Sequence, residues 1–421
     1  MNTVLRKVFL LGTAFLVTAS ALAQDYQGFT LEQSKAFHQQ FDHPFKAWNI
    51  GGDFTRYVFL NMPEFWVHSP LRRKGPTKEL TVDYQETVAN FTVSVDAGKM
   101  TLKNYVRNSP TDGVVIVHKG RIVFEDYPRM DPNDRHIWFS VSKTFVSTAV
   151  AILEDRGQID VEKPIDFYLQ ELNGTAWQGI RIIDILDMAS GIDCPEALNE
   201  SNSCFWEFYD AFGFPVIDKV LEKPMERLKI MQTLRPPGQV FKYTSVNTEV
   251  LNWLVEEVSG ERFSRLIERE IWQGTGAESN ALMLSTPNGD AFSAGGVSSN
   301  LRDLARYGLL FTPSGRGGSN PIVSDAYLDK IQKGGRPELS EKTDSRHRAL
   351  GDNSLRHNTY QWDIVTYDGD FYKAGHGGQG LYISPSKDLV LTWFGTHTEE
   401  KKRNQMLRIA RQLVKSGLFD E

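Results

Sequence analysis

Ser140-Val141-Ser142-Lys143 places a hydroxyl and an amine three positions apart, directly after the apolar segment Ile137-Trp138-Phe139. The motif opens a predicted helix that carries Phe145, Val146, Ala149, Val150, Ile152 and Leu153 and ends near Arg156-Gly157. Residues i and i+3 are neighbours on a helix, so both side chains share one face. An amine so placed can take the proton of a serine that attacks a carbonyl. The serine's own amide, with the other free N–H groups of the first turn, points to where an oxyanion would form. Two fates are open to Lys143. Its stem can run along apolar surface and leave the ammonium in water. Alternatively the amine is desolvated, and its pKa falls from about 10.4 toward neutrality. The four-residue pattern does not choose between them, and Ser384-Pro385-Ser386-Lys387 matches it too, in a turn between two predicted strands.

Gln239-Val240-Phe241-Lys242-Tyr243-Thr244-Ser245 precedes a periodic helix with Val250, Leu251, Leu254, Val255 and Val258, ending at Ser259-Gly260. Tyr243 is either a buried aromatic or a phenol that shuttles a proton between serine, leaving group and lysine. No Gly-x-Ser-x-Gly elbow occurs, which removes the α/β-hydrolase alternative.

The elements that must position these groups come from both parts of the chain. Val114–Val117 and Ile122–Phe124, around Lys119-Gly120, predict a hairpin. Gly380–Ile383 and Leu389–Trp393 predict two more strands, and an amphipathic helix follows over about 401–415. Between them lies a mainly helical stretch, roughly 140–310. The fold class is α/β (α+β): an antiparallel sheet built from both chain ends, flanked by helices, with a helical insertion at roughly 145–310. Residues 24–105 form an extension rich in aromatics (Phe41, Phe45, Trp48, Phe54, Tyr57, Phe59, Phe65, Trp66), expected to lie on a catalytic body of residues 106–421.

A basic start at Arg6-Lys7, a short apolar run from Val8 to Ala21 and the small-x-small site Ala21-Leu22-Ala23 predict a signal peptide over residues 1–23. Cleavage near Ala23 leaves an exported protein, periplasmic or secreted, with no stable membrane anchor. Cys194 and Cys204 are the only cysteines, and in an oxidising compartment they predict a local disulfide. The histidines are scattered, with none at zinc-like spacing from the cysteines, and no metal or organic cofactor is implied. A formal charge of −6 with no dense basic cluster argues against a nucleic-acid partner. Oligomeric state is not readable.

Ser140-Val141-Ser142-Lys143 with Glu154-Asp155-Arg156-Gly157-Gln158-Ile159-Asp160 resembles the first motif of the β-lactamase-related serine hydrolases and its sequel. Ile182–Gly191, Phe241–Ser245 and Ala294–Ser299 before Asp303-Leu304-Ala305 are similar to further segments of that family, in its order, over roughly residues 111–415. Within the family the likeness is greatest to the 6-aminohexanoate-dimer hydrolase-like branch, through the aromatic extension and Gly375-His376-Gly377-Gly378-Gln379-Gly380. The resemblance implies a β-lactamase/transpeptidase-like fold, with Ser140 as acylated nucleophile, Lys143 as general base and Tyr243 as second acid/base group. Segment 373–378 would replace the family's Lys-Thr-Gly strand, which supplies an oxyanion amide. Two registers fit: Lys373-Ala374-Gly375, leaving the His376 amide as donor, or His376-Gly377-Gly378. The first needs the smaller deletion before Pro385. His376 itself is either a group lining the site or a strand-end histidine bonded to backbone. Ser245 joins the substrate-binding set, and Ser245-Val246-Asn247 also matches the Ser-x-Asn of class A enzymes, a weaker reading because no water-activating glutamate can be placed.

The cysteine loop leads into Phe205-Trp206-Glu207-Phe208-Tyr209. In this family it would lie near the pocket mouth, where Trp206 and Tyr209 either wall the pocket or simply fill core. The implied substrate is a small ester or amide, with β-lactamase or D,D-peptidase activity next. A non-catalytic penicillin-binding-like sensor or scaffold is the rival from another class.

Overall fold

The computed structural model describes residues 26–212, 224–317, 321–340 and 345–420. The expected signal peptide, residues 1–23, lies outside them. Seven strands form the main sheet: β1 (Thr111–His118), β2 (Arg121–Asp126), β3 (Leu355–Thr359), β4 (Trp362–Thr366), β5 (Phe371–Gly375), β6 (Gln379–Ser384) and β7 (Leu389–Gly395). Their order is β2-β1-β7-β6-β5-β4-β3, with every neighbouring pair antiparallel. β7 pairs with β1 from Leu389 opposite His118 to Trp393 opposite Val114. That seam joins the early hairpin to the late one, as the patterning predicts.

Both faces of the sheet are covered, so β1 and β7 are buried along nearly their whole length. Val115, Val117, Leu381 and Val390 face one core, shared with the helices α1 (Lys143–Asp155), α2 (Val246–Ser259) and α3 (Leu301–Leu309). Val114, Ile116, Tyr382 and Leu391 face a second core under the last helix, α4 (Met406–Val414). The alternation along each strand sorts the residues between the two cores.

Three local features depart from the sequence reading. α4 begins later than the predicted 401–415, because residues before it are drawn into a loop: Lys401 has φ 64°, and Asn404 Nδ2 donates to the Gly378 carbonyl at 2.8 Å. A second antiparallel sheet of four short strands joins His68–Leu71, Ala281–Leu284, Val297–Ser299 and His136–Ile137. It threads the extension through the otherwise helical middle. The β3–β4 hairpin was also unread, since its turn residues Tyr360 and Gln361 adopt φ 45° and 64° without a glycine. Tertiary bonds hold that turn: Gln361 N donates to Leu186 O at 2.9 Å, and Thr248 Oγ1 donates to Gln361 Oε1 at 2.7 Å.

The hairpin is also tied to the helix Ile182–Leu186 by a buried charge cluster. Asp187 accepts from Thr359 Oγ1 at 2.7 Å and from Arg336 Nη2 at 2.9 Å, while Arg336 Nη1 donates to Asp184 at 2.7 Å. Burial raises the Asp187 carboxyl to about 6 against the pull of Arg336. Arg336→Leu takes the guanidinium off buried Asp187, while Asp184 keeps its pair with Arg181, and should destabilise the protein by about 3–5 kcal/mol. Because a raised carboxyl favours the folded state when protonated, the loss should be smaller at pH 5 than at pH 8. Urea unfolding midpoints at the two pH values test this.

Candidate active site

Ser140 sits in a 3-10 turn, Phe139–Ser142, that runs directly into α1 at Lys143. Phe139 has φ 46°, a left-handed conformation that costs an aromatic residue roughly 1–2 kcal/mol. Packing holds it there: the rings of Trp48, Phe59 and His376 lie 5.0, 4.8 and 5.3 Å from its own. Trp48 and Phe59 belong to the N-terminal extension, so that segment braces the backbone immediately before the serine. On the other side, Val297 N donates to Ser142 Oγ at 3.0 Å and Trp138 N donates to Val297 O at 2.8 Å.

Lys143 has no solvent exposure. Its Nζ donates to Ser245 Oγ and to the Ala294 carbonyl, both at 2.8 Å, and stands 3.2 Å from Ser140 Oγ. Burial pulls its ammonium down to about 7, with Glu196 and Glu249 opposing the shift and Lys373 adding to it. Of the two fates open to this lysine, the amine is the buried one.

Tyr243 lies between two amines, its ring 5.3 Å from Lys143 Nζ and 4.7 Å from Lys373 Nζ. Lys373 Nζ donates to the Tyr243 hydroxyl at 3.3 Å and to Asp363 Oδ1 at 2.6 Å, and Asp363 Oδ2 accepts from Ala374 N at 2.9 Å. Burial, then the Asp363 and Glu196 charges, push the Tyr243 phenol well above its usual range. It is therefore a protonated donor at neutral pH. Lys373 is lowered by burial against the pull of Asp363.

Of the two registers considered for segment 373–378, the geometry favours Lys373-Ala374-Gly375. A Cβ on Gly375 would fall 2.3 Å from the Trp138 carbonyl, so only glycine lets β5 lie against the residues leading into Ser140. His376-Gly377-Gly378 instead begins the tight turn to β6, with Gly377 and Gly378 at φ 86° and 126°. His376 lines the cavity, and of its two readings the imidazole takes the one bonded to backbone. It is turned onto the extension, donating from Nε2 to the Trp48 carbonyl at 2.8 Å, and burial lowers its imidazolium to about 3. What it can offer the serine is its backbone.

Ser245 stands behind the lysine: its Oγ accepts from Lys143, and its N–H donates to Glu196 Oε1 at 2.6 Å. Asn247 departs from the Ser-x-Asn reading, since it is fully buried with Nδ2 toward Met188 Sδ at 3.6 Å. Cys194 and Cys204 form the expected disulfide, with Cα atoms 5.3 Å apart. Trp206 and Tyr209 are corrected from pocket wall to core. Trp206 is buried against Trp48, ring centroids 5.4 Å apart, and donates to Leu198 O at 3.2 Å. Tyr209 is buried with its hydroxyl toward Glu249 Oε1 at 3.4 Å.

Ser140, Tyr243, Glu196, Leu198, Asp363 and Gly375 line one cavity of about 720 Å³. Glu196 and Asp363 carried no sequence signal. Glu196 reaches the site because the disulfide loop folds back on the Tyr243–Ser245 segment, and Asp363 because β4 neighbours β5.

Residues 100–415 match the Beta-lactamase family model. The 6-aminohexanoate-dimer hydrolase of Paenarthrobacter ureafaciens is 28% identical over 345 residues, covering 80% of this chain and 84% of its own. A solved Bacillus anthracis structure, provisionally assigned as a 6-aminohexanoate-dimer hydrolase, superposes with a TM-score of 0.75 at 22% identity over 88% of this chain and 96% of that one. EstCE1, described as a hydrolase with promiscuous acyltransferase activity, superposes with a TM-score of 0.55 at 15% identity, covering 73% of this chain and 94% of its own. At those identities the two superpositions speak to the fold.

The disulfide closes a short loop, so Cys204→Ser should cost about 2–3 kcal/mol by the chain-entropy relation. It should also slow reactions at the pocket, because Glu196 and Leu198 lie inside that loop. Thermal melts and turnover, each with and without reductant, check both parts.

Proposed function

The chain belongs to the Beta-lactamase family and is a serine hydrolase, and from that premise we propose that it cleaves a small ester or amide through an acyl-enzyme on Ser140. The observation that carries the reading is the environment of Lys143 Nζ. A neutral amine has two hydrogens and one lone pair. With its hydrogens directed to Ser245 Oγ and the Ala294 carbonyl, the lone pair is left for the Ser140 hydroxyl at 3.2 Å. An amine brought down to about 7 is half neutral near physiological pH, so it can accept that proton.

In this reading Ser140 Oγ attacks the carbonyl carbon while its proton passes to Lys143. The oxyanion forms between the Ser140 amide and the backbone at Gly375-His376. Tyr243, protonated and bonded to Lys373, donates its proton to the leaving oxygen or nitrogen and is reprotonated from the amines beside it. Water then attacks the acyl carbonyl, the Lys143 amine, neutral again, takes its proton, and that proton passes to Ser140 Oγ as the acyl C–O bond breaks and the acid leaves. Likeness to a 6-aminohexanoate-dimer hydrolase supports a small amide, and the same acyl transfer to Ser140 serves an ester.

Residues 24–105 belong to the working unit in this reading, since Trp48 and Phe59 brace Phe139. Export after cleavage near Ala23 is part of the same proposal, supported by the Cys194–Cys204 disulfide. Among the described residues no helix is long and apolar enough to cross a membrane.

Intact-mass spectrometry after a fluorophosphonate, p-nitrophenyl acetate or a penicillin tests the assignment. An adduct on Ser140 is expected, absent in a folded Ser140→Ala protein. Acylation should rise with pH through about 7 and level off above it, because the base is the unprotonated amine. Lys143→Met should slow it by roughly 10²–10⁴-fold. Equal acylation of the Ser140→Ala protein would end the reading.

A further inference from the structure

Behind the pocket lies a carboxylate that none of these steps uses. Glu249, one turn into α2, has no solvent exposure. Its Oε2 accepts from the Ser293 hydroxyl at 2.7 Å and its Oε1 from the Ala294 amide at 3.0 Å. The carbonyl of the same Ala294 accepts from Lys143 Nζ at 2.8 Å. One residue therefore has its N–H on the carboxylate and its C=O on the amine. α2 addresses Lys143 twice: directly through its capping residue Ser245, and through Ala294 by way of Glu249.

Holding a turn needs only a hydrogen-bond acceptor, which an uncharged glutamine supplies. An ionisable acid buried with no cation in direct contact is costly, and the amine reached through Ala294 is what its charge can act on. Resting on the Ser140–Lys143 reading above, we propose that Glu249 is a positioning residue for the reaction. It clamps the Ser293–Ala294 turn that holds Lys143, and its charge helps to decide when Lys143 carries a proton.

The electrostatics have the required sense. Burial raises Glu249 to about 7 and lowers Lys143 to about 7, so the two titrate together. Ionised Glu249 favours the ammonium. Lys143 is also faced by Glu196 and Asp363, which act in the same sense, and by Lys373, which opposes them. Beside Glu249 itself stand Tyr209 and, across Ala294, Lys143.

The test is the pH profile of Ser140 acylation by p-nitrophenyl acetate in the full chain, for the wild type, Glu249→Gln and Glu249→Leu, with thermal melts. Glutamine keeps an acceptor for the Ala294 amide but no charge. Its acidic limb should move to lower pH by about one unit. Leucine removes the clamp, so its plateau rate should fall by roughly 10²-fold, well below that of the glutamine variant, with KM little changed. An acidic limb in Glu249→Gln that superimposes on the wild type, or moves upward, overturns the proposal. So does a folded Glu249→Leu protein that acylates at the wild-type rate. If Glu249→Leu does not melt cooperatively, the glutamine profile alone decides. Failure of the underlying reading looks different: the wild type itself would form no Ser140 adduct.

Discussion

Taking the Lys143 ammonium out of water costs several kcal/mol unless the protein solvates it or lets it shed its proton. Here both occur. Two oxygens at 2.8 Å replace water on its hydrogens, and burial makes the neutral form accessible near pH 7. The surrounding architecture serves this one nitrogen. α1 presents it, the cap of α2 supplies Ser245, and the turn entering the second sheet supplies the Ala294 carbonyl. Because the nitrogen and its two oxygens come from three separate chain segments, small shifts in any of them change how far the amine is desolvated.

The serine depends on a different kind of support. Its neighbour Phe139 is held in a left-handed backbone conformation that an aromatic residue does not choose by itself. Rings from the extension and from His376 fill the space around it, so apolar packing offsets the strain. His376 contributes by bonding to the Trp48 carbonyl and so joins the β5–β6 turn to the extension. The value of its side chain to the site is mechanical.

Charge pairing completes the arrangement at the far side of the pocket. Asp363 accepts from both the Lys373 ammonium and the Ala374 amide, fixing β5 against β4 while it keeps Lys373 close to the phenol. Asp187, Asp184 and Arg336 do the same one layer away, tying the β3–β4 turn to the helix Ile182–Leu186. Polar groups buried at this depth need every partner in place, which favours a single packing over looser alternatives.

Legibility in the sequence followed the range of the interactions. Ser140 with Lys143, the hairpin of β1 and β2, the β6–β7 pair and the disulfide are set by residues close in sequence, so periodicity, spacing and cysteine count were sufficient to find them. The short second sheet, the glycine-free turn at Tyr360-Gln361 and the late start of α4 rest on contacts across the chain, and local propensity pointed elsewhere. The same division runs through the site. Composition and motif determined which groups were present, including a serine, a lysine and a tyrosine suited to acyl transfer. Only the tertiary structure decided that Lys143 is buried, that the His376 imidazole bonds to the Trp48 carbonyl, that Trp206 is core, and that Glu196, Glu249 and Asp363 stand beside the amines. Burial and the distance between charges are properties of segments brought together from far apart, and a pattern of neighbouring residues does not contain them.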